Sequence, residues 1–131
     1  MTRLSLIIIL ALGLGCQNKK GDVIANLTNN TYKYWDVVEM HNFYSKSKSR
    51  VYPVYCYYFN LNGEFGFYKY ENEKRKIYDS GDVQSPDSWQ YSSDTTILIG
   101  GVKLAIGKLT EDTLILFYPN TNKIILAKSE N

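Results

Sequence analysis

From residue 32 to the C-terminus, apolar and aromatic side chains fall in short runs interleaved with polar ones, and each run ends in turn-forming residues. Tyr32 to Met40 mixes aromatic and β-branched residues with polar ones in a strand-like way. Val51 to Asn60 reads as a second strand, with Pro53 restricting it to an edge or a late start. Asn62-Gly63 lies between Tyr57-Tyr58-Phe59-Asn60-Leu61 and Glu64-Phe65-Gly66-Phe67-Tyr68, and this dipeptide suits the positive φ angles of a tight type I′ turn. The two flanking runs are therefore expected to form a hairpin. A charged turn over Glu71 to Lys76 precedes short strands at Lys76 to Asp79 and Ser88 to Tyr91. Thr95 to Gly100, Val102 to Leu109, Thr113 to Tyr118 and Lys123 to Lys128 complete the series. Polar or glycine turns at Gly100-Gly101, Thr110-Glu111-Asp112 and Pro119-Asn120-Thr121-Asn122 separate them. The pattern predicts an all-β fold, an antiparallel up-and-down meander of about eight strands, with barrel closure favoured because it removes exposed edges.

The first residues follow another pattern. Arg3, the apolar run Leu4 to Leu12 and the small residues Gly13 and Gly15 before Cys16 have the layout of a secretory signal over residues 1 to 15. The run is shorter than the roughly 20 apolar residues of a bilayer span, and polar Gln17-Asn18-Lys19-Lys20 follows it directly. Leu12-Gly13-Leu14-Gly15-Cys16 resembles the lipobox of bacterial lipoproteins. That resemblance implies cleavage before Cys16, acylation of its thiol and anchoring to a membrane through lipid, since two acyl chains already suffice for stable attachment. Gln17 stands where an inner-membrane retention signal would have Asp, and Lys19-Lys20 stands where surface-displayed lipoproteins of Bacteroidota carry acidic residues. The implied location is the cell envelope, in the periplasmic leaflet of the outer membrane. Residues 16 to 31, polar apart from Val23-Ile24-Ala25, read as a flexible tether that holds the body, residues 32 to 131, off the lipid, with a short helical turn over residues 22 to 28 as the alternative.

Charge and composition narrow the function. Loss of the leader removes Arg3 alone among the charged residues and takes the formal net charge from +2 to +1. This lacks the basic excess through which proteins neutralise nucleic-acid phosphates, so nucleic acid is not an expected partner. Lys74-Arg75-Lys76, diluted by Glu71 and Glu73, reads as a solvated turn. With Cys16 acylated, Cys56 is the remaining thiol, has no intrachain disulfide partner, and reads as a small buried hydrophobe. One histidine, His41, and one spare cysteine do not supply a metal-ligand set or a nucleophile and base, and no pair of carboxylates is singled out by spacing. Gly100-Gly101 is too bare for a phosphate loop. A non-catalytic protein without cofactor or metal is expected.

Trp35, the hairpin residues Phe59 to Phe65, Ser88-Trp89-Gln90-Tyr91 and Ile106 to Leu114 are spaced such that residues 32 to 128 resemble the lipocalin-like lipoproteins of Bacteroidota. In Lys33-Tyr34-Trp35 the chain keeps the tryptophan of the lipocalin Gly-x-Trp while lacking its glycine. The resemblance implies a small β-barrel; a barrel holding a small apolar ligand would have an interior lined by Trp35, Phe59, Trp89 and Ile106, and a barrel of about eight strands can equally be filled by its own side chains.

The 12 tyrosines give a second candidate surface. Alternation along the strand points Tyr55, Tyr57 and Phe59 to one face and Tyr52, Cys56 and Tyr58 to the other, and opposes Phe65 and Phe67 to Tyr68 and Tyr70. One face belongs to the core. The other would expose tyrosines of the kind favoured at protein interfaces, suited to an envelope-protein partner in an accessory or inhibitory role.

Overall fold

The computed structural model describes residues 19–42, 48–50, 54–78, 85–119 and 122–130. The leader, Cys16, Tyr52 and Pro53 lie outside these residues. A helix, α1 (Lys19–Thr28), precedes ten strands: β1 (Tyr32–Asn42), β2 (Lys48–Arg50), β3 (Tyr55–Asn60), β4 (Phe65–Glu71), β5 (Lys74–Ile77), β6 (Trp89–Ser93), β7 (Thr96–Ile99), β8 (Val102–Leu109), β9 (Thr113–Phe117) and β10 (Asn122–Lys128). All pairings are antiparallel, in the order β5-β4-β3-β1-β10-β9-β8-β7-β6, and β2 attaches to β1. The all-β meander expected from the sequence is present, with nine strands on its main path rather than about eight.

From β3 to β5 and from β6 to β10 each strand pairs with the next, and β10 lies against β1, which curls the sheet into a half-barrel. Main-chain hydrogen bonds join its two halves near the start of β4. Phe65 N–H donates to Asp87 O at 3.0 Å, Trp89 N–H donates to Gly63 O at 3.0 Å, and Glu64 bridges Ser88, so the start of β4 joins the approach to β6. The remainder of β4 is capped by β5, whose pairing partners are all on β4.

The turns depart from expectation in an instructive way. Gly63 has φ +85° but Asn62 is not in the positive region, so the β3–β4 connection is a three-residue loop rather than a type I′ turn. The Asn60 side chain explains the choice, because its Oδ1 accepts from the N–H groups of Asn62 and Glu64 at 3.0 and 2.8 Å. The turn with positive φ at both central residues lies instead at Asn72-Glu73, φ 51° and 65°, between the paired Glu71 and Lys74. The segment expected as a long charged turn is therefore a two-residue turn followed by strand β5.

Residues 19 to 28 correct the expected flexible tether. They form α1, which packs on β1, β3, β6 and β8 across one end of the half-barrel. Its apolar stripe Val23, Ile24 and Leu27 joins the core, and Leu27 is completely buried. The Thr28 hydroxyl donates to Ile24 O at 2.7 Å, and Asn29 and Asn30 turn the chain out of the helix with φ 54° and 59°. Trp35, also completely buried, donates its indole N–H to Leu27 O at 3.1 Å and so satisfies a carbonyl of the last helical turn. Lys33 is buried beside it. Its ammonium donates to Asn26 O at 2.9 Å and Glu111 O at 2.6 Å and lies 4.1 Å from the Trp35 ring centre. Burial, then the nearby Lys128, lowers the Lys33 pKa.

Candidate functional site

The curled sheet sorts the aromatic residues into three groups. The first fills the helix-capped end, where Trp35 and Phe59 are fully buried and Phe65 and Trp89 nearly so. Phe59 makes edge contacts with Phe65 and Trp89 at centroid distances of 5.2 and 5.7 Å, and the Trp89 indole donates to Asn60 O at 2.8 Å. Leu27, Ile97, Leu104, Leu114, Leu116 and Leu126 complete this packing. Trp35, Phe59 and Trp89, expected as lining for a ligand, are core here, with both indole N–H groups bonded to backbone carbonyls.

The second group lies on the same concave face toward the other end. Val37, Met40, Tyr55, Tyr57, Phe67 and Tyr78 line a cavity of about 230 Å³. A bulge in β1 between Val37 and Glu39 shifts the alternation and places Met40 beside Val37 in this wall. Tyr55 stacks on Phe67 at 5.4 Å, and Tyr78 meets both rings at 5.8 and 5.1 Å. Tyr57 forms the floor toward the filled end: its hydroxyl lies 3.0 Å from that of Tyr118, and burial pushes its pKa well up. The cavity is bordered by rings and aliphatic side chains, and no charged side chain lines it among the described residues.

The third group is on the convex face. Tyr34 lies 5.0 Å from Tyr58 and 6.0 Å from Tyr68, Tyr32 stacks on Tyr58 at 6.1 Å, and the Arg75 guanidinium covers Tyr34 at 3.9 Å. Tyr70 donates to Asp36 Oδ1 at 2.5 Å, and burial with this hydrogen bond pushes its pKa up to about 12. Arg75 Nη2 donates to Ser129 Oγ at 2.8 Å, which ties β5 to the residue after β10. Cys56 is completely buried beneath these side chains, and burial pushes its thiol to about 11. Tyr32 is 57 % exposed, and Tyr58, Tyr68 and Tyr70 are partly buried.

The inward set Tyr55, Tyr57, Phe59, Phe65, Phe67 and the outward set Tyr58, Tyr68, Tyr70 thus follow the alternation read along the strands. Sequence reasoning missed Val37, Met40 and Tyr78 in the cavity and Tyr34 with Arg75 outside. Tyr78 was detectable as the apolar end of a short strand, whereas Met40 depends on a bulge that no residue of β1 announces. His41 lies off the cavity, with Nε2 3.1 Å from Glu39 Oε2. Among the described residues no three His, Cys, Asp or Glu side chains gather as a metal site. Comparison with family models, curated proteins and solved structures gives no match.

Proposed function

We propose that this chain is a lipid-anchored, non-catalytic binding protein of the lipocalin-like kind, holding a small ligand with an apolar body in the open half of its barrel. The observation that carries the reading is the cavity of about 230 Å³ walled by Val37, Met40, Tyr55, Tyr57, Phe67 and Tyr78. An apolar cavity of about 150 Å³ already holds a benzene ring, so this one is suited to a ligand of one or two rings or a short chain. In this reading lipid on Cys16 holds the protein to the periplasmic leaflet of the outer membrane. Cys16 precedes the first residue of α1 by three positions, a reach of only about 10 Å of extended chain. The helix-capped end then sits close to the membrane.

A second reading makes the convex tyrosine face a contact for another envelope protein. It is favoured by the exposure of Tyr32 and by the Tyr34, Tyr58 and Tyr68 rings that continue from it.

Native mass spectrometry of the full chain, isolated from bacterial envelopes and released from lipid nanodiscs, tests the first reading. A bound species of small mass, retained by wild type and lost from a Met40→Trp variant that fills the cavity, is the expected result. Wild-type protein carrying only its acyl chains, with an envelope protein retained through Tyr32 and Tyr58, favours the second.

A further inference from the structure

The rim of the cavity differs from its walls. In the sheet register Tyr57, Phe67 and Tyr78 form one row on the concave face, with Tyr78 N–H donating to Phe67 O at 2.9 Å. The adjacent row toward the open end is Tyr55, Lys69 and Lys76, since Tyr55 pairs with Lys69 and Lys69 pairs with Lys76. Residues opposite one another in an antiparallel pair project to the same face, and those two positions apart along a strand share that face as well. Two ammonium-bearing side chains therefore stand one row above an aromatic cavity, on its own side of the sheet.

Glu71, two positions beyond Lys69, pairs with Lys76 at 2.9 Å, and its pKa is lowered first by that hydrogen bond and also by Lys69. Lys74 is the register partner of Glu71 on the same face, so among the described residues Lys69, Lys74 and Lys76 stand against one carboxylate and leave the rim with net positive charge. From β1, Glu39 and His41 pair with each other and are absent from the cavity wall that Val37 and Met40 form. Among the described residues the walls hold no charge, so a charge on the ligand is met at the rim.

We infer that the ligand is a flat ring bearing a carboxylate, its ring held between Tyr55, Phe67 and Tyr78 and its anionic end at Lys69 and Lys76. This rests on the ligand-binding reading above and adds a chemical class to it. The ring follows from the walls: Tyr55 and Phe67 are stacked at 26° while Tyr78 stands edge-on to Tyr55 at 84°, which offers face and edge contacts to a further ring. A saturated chain would use neither. The anion follows from the rim charge, since the sheet register sets Lys69 and Lys76 one row beyond Phe67 and Tyr78 on the same face.

The test uses the full chain in lipid nanodiscs, with empty nanodiscs as reference, and ¹⁹F NMR of two probes, 4-fluorobenzoate and neutral fluorobenzene. Wild type is expected to bind 4-fluorobenzoate more tightly than fluorobenzene. Lys69→Gln with Lys76→Gln should weaken the anion by about three- to tenfold, as for partly exposed charge pairs, and leave fluorobenzene unchanged. Both residues lie near the edge of the sheet and outside the core, so the double variant is expected to fold, which its tryptophan fluorescence checks. Equal affinity for the two probes, unaffected by the double substitution, overturns the carboxylate inference while leaving the cavity reading in place. Failure of both probes to bind overturns both.

Discussion

The two halves of the concave face are built from the same kind of strand and do different things. At the helix-capped half, Trp35, Phe59, Phe65 and Trp89 interlock with α1 and the leucines of β8 to β10, and both indoles are bonded to main-chain carbonyls. At the other half, Tyr55, Phe67 and Tyr78 pack on one another and leave space beside Val37 and Met40. The difference comes from what covers each end. A helix lies across the first, and the start of β4 is joined there to the approach to β6 through Gly63 to Phe65 with Asp87 to Trp89. A barrel of this size is filled where an extra element lies across it, and space remains between the rings where, among the described residues, no such element does.

Substitutions should separate the halves. Trp35→Ala is expected to be the most damaging, costing about 3–5 kcal/mol in urea denaturation, because it opens a cavity and strips the Leu27 carbonyl of its donor. Leu27→Ala should cost about 2–5 kcal/mol, and hydrogen exchange should then show the α1 amides losing protection before those of β9 and β10. If α1 is only an appendage, that variant will denature like wild type.

The convex face gives a pH test of intermediate size. The Cys56 thiol, at 9.0 ordinarily and about 11 here, keeps its proton in the folded chain at pH values where the unfolded chain has lost it. Its contribution is therefore complete below pH 9 and is lost as pH rises to 11, a change of about 2 kcal/mol for a fully buried group. Cys56→Val should remove that part of the alkaline slope, leaving the tyrosine contribution that begins near pH 10. An unchanged slope would show that Cys56 is not sealed beneath Tyr70 and Arg75. The smallest effect is expected in the open half, where Met40→Leu keeps volume and should cost less than about 1.5 kcal/mol.

Much of this architecture was legible before any coordinates. Strand positions followed from alternation and turn residues, and the opposition of Tyr57 to Tyr58, and of Phe67 to Tyr68, followed from the two-residue period of a strand. What the sequence concealed has physical causes. The sequence supports no more than a short helical turn over residues 22 to 28, because Lys19 to Thr28 is short, contains Gly21 and carries a weak apolar stripe that matters only when the barrel lies beneath it. Asn62-Gly63 was read as the tightest turn because the competing bonds of the Asn60 side chain are invisible in a dipeptide pattern. Lys74 to Lys76 looked like a solvated turn because β5 alternates charge with charge, Arg75 outward on Tyr34 and Lys76 on the concave side with Lys69. Which tryptophans are packed and which rings line space depends on closure, a relation between β4 and β6 that local pattern does not encode.

The central claim, a filled end and a receptive end on one face, has a convenient reporter. The chain holds two methionines, Met1 and Met40, and Met40 lies in the cavity wall. The decisive measurement is an NMR titration of the full chain, carrying ¹³C-methyl methionine and ¹⁵N-indole tryptophan, with 4-fluorobenzoate and fluorobenzene. The account predicts that the Met40 methyl signal shifts saturably with at least one of them while the indole signals of Trp35 and Trp89 stay in place. A still Met40 signal, or indole signals that move with the ligand while Met40 does not, would contradict it.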